Sequence, residues 1–391
     1  MSTTGRPAVI AGLGMTEMGK VYDRSAAQFG VDAVRSAAED AGIPLSEIDG
    51  LLVSPGITGG IDLGIQRTSG LTDLGFAAQV QSFGSSAGVM VSQAAMAVAS
   101  GTARVVACVF ADAPLAPGSR TGAAYADPAK RVRPGFDGLA AAGGLLGPNT
   151  GYALAARRHM DTYGTTSEQL GHVAVSTRQW AELNPLARMR EPMTIADHQS
   201  SRWIVEPLHL LDCCHVSNGG IAVIVTSDER ARSTRQPAVR VQGWGQGHPG
   251  YRDDRGSRFG LSTGAVQSGR SAMGMAGVGP ADIDIRELYD CYTYTTLVSL
   301  EDYGFCAKGE GGELAASGAL GPGGSMPTNT GGGQLSGYYM WGMTPLSEAV
   351  MQARGQAGKR QVPRHELVLV SGNGGVLDHH STLVLSSEVG R

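Results

Sequence analysis

Aromatic side chains are scarce, at 6% of 391 residues, and charged ones reach only 17%. The 31 basic and 35 acidic residues leave a net charge of −4. No field of one sign therefore draws the whole molecule to nucleic acid or to an anionic membrane. The nearest thing to a basic patch, Lys130, Arg131 and Arg133, reads as a solvated loop. Cysteine is sparse too: Cys108, Cys213, Cys214, Cys291 and Cys306 form no C-x-x-C pair. Met1 to Pro7 is polar, so no secretory segment is expected, and the expectation is a reduced, cytoplasmic protein without disulfides. No run of about 20 apolar residues is present to span a bilayer.

What the chain has in excess is glycine, 58 residues against a usual ~7%. The glycines keep no every-third-residue period, which excludes a collagen-like fibre. They alternate with strong apolar runs, which excludes a disordered low-complexity chain. Such a composition favours backbone packed against backbone, or backbone against ligand.

An internal repeat organises the chain. Pro7 to Gly14 is an apolar run ending in glycine, as in a buried strand, and Pro237 to Gly245 reads the same way. Ser25 to Ala41 predicts a helix with Phe29, Ala33, Ala37 and Ala41 on one face, stopped by Gly42 and Pro44. Ala41-Gly42-Ile43 and Ile48-Asp49 recur as Ala276-Gly277-Val278 and Ile283-Asp284. The helix Ser86 to Ser100 and strand Arg104 to Phe110 match a helix Pro345 to Arg354 and a strand Glu366 to Val370. Each half reads strand–helix–strand–helix–strand, which predicts a mainly parallel sheet covered by helices. Between the halves lie irregular loops, then helices near Tyr152–Tyr163 and Ser167–Leu183, the second ended by Asn184-Pro185. Gly220 to Val225 then returns the chain to the sheet. The expected units are an N-terminal half 1–112 completed by 215–235, an inserted loop domain 113–214, and a C-terminal half 236–391.

With Arg157-Arg158-His159-Met160, Asn184-Pro185, Glu287 to Thr293, Gly304 to Gly312, Asn329-Thr330-Gly331-Gly332-Gly333 and Gly372-Asn373-Gly374-Gly375, this layout resembles the thiolase fold. More narrowly it resembles the lipid-transfer-protein (sterol-carrier-protein X) thiolase branch, over nearly the whole length. The resemblance implies an α/β fold: two similar βαβαβ-type halves in a layered α-β-α-β-α core, with an inserted loop domain.

Departures from the family pattern decide the chemistry. Thiolases carry the acyl group on a cysteine at the start of the first half's small-residue helix. In Gln81-Ser82-Phe83-Gly84-Ser85-Ser86-Ala87-Gly88 that position falls on Gly84. Glycine forms no thioester, so transfer through the usual covalent intermediate is excluded. Ser85 and Ser86 lack a neighbouring histidine in sequence, and helix capping is their expected role. The histidine after Asn-x-x-Gly-Gly falls on Tyr339, and that of the His-Asp-Cys-Phe string falls on Tyr289. Gly247-His248-Pro249 is a histidine string out of register and is not assigned to catalysis.

Two histidines replaced by tyrosines and a cysteine by glycine is similar to the thiolase-fold aldolases of steroid side-chain degradation. This resemblance implies retro-aldol cleavage of a β-hydroxyacyl-CoA, such as a 17-hydroxy steroid side-chain thioester, to a ketone and a short acyl-CoA such as propionyl-CoA. That reaction needs no enzyme nucleophile. It needs a base for the β-hydroxyl, an acid for the α-carbon and a holder for the thioester enolate. Tyr289 and Tyr339 fill the proton roles if nearby donors lower a phenol pKa of ~10. Backbone N–H groups at Gly84, Ser85, Gly374 and Gly375 are assigned to the enolate oxygen, one such donor commonly being worth ~3 kcal/mol. Loss of the thiol is expected to leave room for a bulky tertiary alcohol.

Asp378 and His379, just after the last glycine loop, are candidates for a proton relay or for contact with a partner; neighbours on an extended chain point opposite ways, so at most one of His379 and His380 faces the site. Tyr292, Tyr294 and Tyr338 read as core. Asp290 is expected to orient neighbouring groups, and Cys291 and Cys306 to pack. No cofactor and no metal is expected in this chain. The resemblance further implies an acyl-CoA substrate and a homodimer core. It also implies a small zinc-ribbon/OB-fold acyl-CoA-binding partner completing a heterotetramer. The competing readings are a non-covalent thiolase-like acyltransferase or condensing enzyme, and a degenerate thiolase that serves as an acyl-CoA-binding scaffold. The glycine runs at 241–280 and 304–337 are expected to be loops around the CoA substrate.

Overall fold

The structure is a computed structural model that describes residues 7–126, 135–145, 147–250 and 255–387. The segment with Lys130, Arg131 and Arg133 lies outside the described residues. The chain opens with β1 (Ala8–Met15), α1 (Ala26–Ala41), β2 (Gly50–Pro55), α2 (Ile65–Ser69), β3 (Phe76–Gln79), α3 (Ser86–Ser100) and β4 (Val105–Asp112). Next come α4 (Leu139–Ala142), α5 (Pro148–Tyr163), α6 (Ser167–Glu182), α7 (Ile195–Ser200) and the ribbon β5 (Trp203–Val205) with β6 (Leu208–His209). β7 (Gly219–Ser227) and α8 (Asp228–Ala231) lead into β8 (Val239–Gly247), α9 (Ala265–Ala276) and β9 (Ile285–Glu287). The rest is α10 (Thr293–Asp302), α11 (Gly311–Ala316), α12 (Met343–Ala353), β10 (Leu367–Gly374) and β11 (His379–Ser386).

The sequence repeat is a structural one: β1–α1–β2–α3–β4–β7 recurs as β8–α9–β9–α12–β10–β11. Nine strands form one sheet in the order β3-β2-β4-β7-β1-β8-β11-β10-β9, joined across its middle by Val9–Arg240 and Ile10–Val239. The sheet is not mainly parallel. Only β2–β3, β2–β4 and β9–β10 run parallel, while the other five pairings are antiparallel. The cause is β7 and β11, which lie between β1 and β4 and between β8 and β10. β11 follows β10 through a four-residue loop, too short for the crossover that a parallel neighbour requires.

Helices α1 and α9 cover the outer faces, whereas α3 and α12 lie between the two halves of the sheet. This is the α-β-α-β-α layering of the thiolase fold. The glycine pattern explains how close the outer layers come. A Cβ at Gly12 or Gly14 would overlap the backbone of α1, and one at Gly243 or Gly245 the backbone of α9. Part of the 241–280 glycine run therefore serves strand-to-helix contact within the core, not loops around a ligand. Helix α1 begins at a reciprocal cap, Ser25 Oγ accepting from Gln28 N–H and Gln28 Oε1 from Ser25 N–H. Its Phe29, Ala33, Ala37 and Ala41 are buried, as the periodicity predicts. Helix α3 is sandwiched by both half-sheets and buries small and apolar residues around most of its circumference. No helix among the described residues is long and apolar enough to cross a membrane.

Candidate active site

The N-terminus of α3 meets the C-terminal ends of β9 and β10, and the residues singled out by register converge there. Gly84 lies in the turn before α3. A Cβ at this position would overlap the ring of Tyr289 and the carbonyl oxygen of Asn373. The place left by the missing thiol is thus filled by an aromatic ring, not held open for a tertiary alcohol. Tyr289 is 3% exposed, and its hydroxyl lies 3.4 Å from that of Tyr339. Either oxygen can donate across this contact.

Tyr339 reaches the pair from a wide turn over Gly333–Gly337. Asp290 holds that turn, its Oδ1 accepting from Gln334 N–H at 2.8 Å and its Oδ2 from Leu335 N–H at 3.4 Å. Ser217 Oγ accepts from Tyr339 N–H at 3.2 Å. Among the described residues four non-glycine residues have left-handed backbones: Phe83, Asn329, Trp341 and Leu377. Phe83 precedes Gly84, and Trp341 follows Tyr339 by two residues. Asn329 accepts Leu288 N–H beside Tyr289, and Leu377 lies in the β10–β11 loop. Such conformations cost about 1–3 kcal/mol each and persist where surrounding structure over-determines them. Here all four frame one place.

Burial dominates the electrostatics. It pushes both site tyrosines well above the ordinary phenol range; the other tyrosines and thiols around them add to the effect at Tyr339, while Tyr339 itself partly offsets it at Tyr289. The expected lowering of a phenol pKa does not occur, and both side chains are neutral phenols near pH 7. Burial likewise pushes the Cys291 thiol up to about 12, which leaves it a packing residue. Asp290 is pushed up to about 7 by burial, against its backbone hydrogen bonds.

This carboxyl gives a test. Its folded pKa lies above the unfolded one, so the folded chain keeps a proton that the unfolded chain has lost. Its contribution to stability is full below about pH 4 and is lost as pH rises through 7. The stability of the wild type relative to Asp290→Asn should therefore fall by about 2–3 kcal/mol between pH 5 and pH 8 in urea unfolding.

The β10–β11 loop brings up the remaining predicted residues. Tyr152 donates to Gly375 C=O at 2.8 Å, while Ser85 N–H closes a turn on Ser82 C=O at 3.2 Å. Ser85 Oγ donates to Ser82 C=O and does not cap α3; Ser86 Oγ accepts from Ser82 N–H instead. Asp378 pairs with Arg255 at 2.9 Å, and the same guanidinium donates to the carbonyls of Val376 and Leu377. His379 Nδ1 lies 3.0 Å from His248 Nδ1, and its ring stacks on Phe83. The hydrogen bonds that Asp378 and His379 make to described residues do not go to either tyrosine. His380 faces the core, beside Tyr303 and Ser371, and burial lowers it to about 3. Among the described residues no three metal-binding side chains cluster.

Two site neighbours carry no signal in the sequence. Tyr125 packs against Tyr339 with ring centroids 6.4 Å apart. Tyr152 accepts a hydrogen bond from Asn373 Nδ2 at 3.0 Å. Each comes from a segment whose place against the other half is set only by the fold. Beneath the site, buried Asp212 joins His198 Nε2 at 2.8 Å and Thr293 Oγ1 at 2.6 Å, tying the inserted region to the first residue of α10. Asp212→Ala leaves a buried histidine and threonine without their acceptor and should destabilise the fold by about 3–5 kcal/mol in urea unfolding.

Residues 245–387 match the family model described as thiolase C-terminal domain-like. Over 386 residues the chain is 39% identical to a steroid side-chain-cleaving aldolase of Thermomonospora curvata, covering 96% of this chain and 97% of that one. It is 36% identical over 380 residues to the 17-hydroxy-3-oxo-4-pregnene-20-carboxyl-CoA lyase of Mycobacterium tuberculosis, covering 94% and 97%. The solved structure of an Ltp2-ChsH2(DUF35) aldolase matches with a TM-score of 0.85 at 39% identity, covering 97% of each chain. Fold and site together define a thiolase-fold protein in which a tyrosine ring stands where the acyl-carrying thiol would be. The chain belongs to the thiolase superfamily and, within it, to the family of the steroid side-chain aldolases.

Proposed function

We propose that the protein cleaves a β-hydroxyacyl-CoA in the retro-aldol sense, giving a ketone and a shorter acyl-CoA. The observation that carries this reading is the Tyr289 ring over Gly84 with its hydroxyl 3.4 Å from Tyr339. It removes the covalent route of an acyltransferase and supplies a pair of proton-carrying groups. The names of the relatives support a 17-hydroxy steroid side-chain thioester as substrate and propionyl-CoA as the short product.

Two neutral phenols suffice for the proton balance. One tyrosine takes the β-hydroxyl proton while passing its own across the 3.4 Å contact to the other. The O–H electron pair becomes the ketone π bond, the Cα–Cβ bond breaks, and its pair moves to the thioester oxygen. In the same concerted shift the second tyrosine gives its own proton to the α-carbon, so neither phenol oxygen holds two protons. The pair ends as it began, and no electron acceptor or cofactor enters. The amides of Gly84, Gly374 and Gly375, at a helix N-terminus and a glycine loop, hold the enolate oxygen; Ser85 N–H is already engaged. Asp378 and His379 shape the loop that carries these donors.

The assembly we propose is a cytoplasmic homodimer core with a small zinc-ribbon/OB-fold acyl-CoA-binding partner, completing a heterotetramer. The solved Ltp2-ChsH2(DUF35) aldolase, named as two components, supports a protein partner. The test offers the chain, with its partner, a β-hydroxyacyl-CoA bearing a tertiary alcohol. Ketone and short acyl-CoA should appear in equal amounts. Binding without turnover across a panel of such thioesters would overturn the reading in favour of a scaffold.

A further inference from the structure

The loop after β10 is clamped from outside its own half. Tyr152, on α5 of the inserted region, is 3% exposed. Its hydroxyl donates to Gly375 C=O at 2.8 Å and accepts from Asn373 Nδ2 at 3.0 Å. These are the two residues flanking Gly374. The orientation of the Asn373 amide follows from this, because a hydroxyl that donates its one proton to a carbonyl meets the NH2 group as acceptor. Among the described residues Asn373 Oδ1 is buried without a hydrogen-bond partner, so the clamp is its side chain's one polar tie there. The ring of Tyr152 lies 4.5 Å from that of Tyr292, and the Tyr292 hydroxyl donates to Asn149 on the same helix. Gly151 adds contact: a Cβ there would overlap Val376 in the loop.

We propose that Tyr152 is a positioning residue for thioester enolate formation, bridging Asn373 and Gly375 so that the Gly374 amide between them stays aimed at the enolate oxygen. This rests on the retro-aldol reading above. Tyr152 does not touch the reacting atoms; it acts through a backbone segment whose carbonyl at Asn373 already abuts Gly84 and whose partner strand supplies His379. A loop donor misplaced by about 1 Å loses on the order of 10²-fold in rate.

Tyr152→Phe keeps the ring on Tyr292 and removes both hydrogen bonds. In the complex with its partner, kcat for cleavage should fall about 10–100-fold with KM for the thioester changed less than about threefold. A second readout isolates the enolate step: exchange of the α-proton of propionyl-CoA with deuterated solvent, in the absence of ketone. It should slow by the same factor as cleavage. Asn373→Ala in the Tyr152→Phe background should then cost little more, because the shared tie is already gone. Wild-type kcat and exchange in Tyr152→Phe, or a rise in KM alone, would overturn the positioning role. A wild-type complex that neither cleaves nor exchanges would overturn the retro-aldol reading, and this role with it.

Discussion

Tyr339→Phe lowers the rate of carbon–carbon cleavage by about 10²–10⁴-fold, Tyr289→Phe does the same, and the double variant is scarcely worse than either. The three results follow from one geometry. The two hydroxyls lie 3.4 Å apart at the end of Gly84, and burial holds both as neutral phenols. Among the described residues no cation lowers either pKa to make a standing phenolate. Proton transfer must therefore run through both oxygens together, and removal of either breaks the chain. Groups that act as one unit give grossly non-additive losses. The same argument predicts kcat/KM without a tyrosine ionisation limb between about pH 6 and pH 9. Measurement needs the purified complex, the ketone product and a pH series. Losses that add in the double variant, or full activity in either single variant, would defeat the relay.

Much of this site was legible in the sequence because register is a local property. Gly84, Tyr289 and Tyr339 each sit inside a motif whose neighbours fix the alignment within a few residues. The repeated halves were legible for a related reason: hydrophobic periodicity and the glycine stops recur in the same order. What escaped depended on distant contacts. His248 stands out of register in the sequence, yet the fold brings it to His379, 131 positions on. Tyr125 and Tyr152 look like ordinary loop and helix residues until the inserted region docks. The parallel sheet fails as an expectation at the two return strands: β11 follows β10 by a four-residue loop, and β7 comes back antiparallel beside β4 after the inserted helices. The pKa of a phenol is the extreme case, since it depends on every group that excludes water from it.

Gly84→Cys, the substitution that restores the thiolase nucleophile, should not restore thiolase chemistry. Gly84 has no unusual backbone angle to protect, so the obstacle is space alone. A Cβ there overlaps the Tyr289 ring and the Asn373 carbonyl, and the thiol extends further into the ring. Such overpacking costs about 1–3 kcal/mol, and relief by moving Tyr289 would separate it from Tyr339. The single variant should therefore unfold at lower urea, lose cleavage and gain no acyl adduct from acetyl-CoA. Adding Tyr289→His removes the obstructing phenol and returns the residue type of the thiolase branch. The thiol then stands at the N-terminus of α3, where the helix dipole favours a thiolate. The double variant should regain the part of the stability lost to the ring, the Asn373 carbonyl still abutting the new Cβ, and take up an acetyl group, seen as a mass increase of the intact chain. Cleavage at the wild-type rate by Gly84→Cys alone would show that the ring does not claim that space. In that event the tyrosine pair would lose the constraint that now sets its geometry.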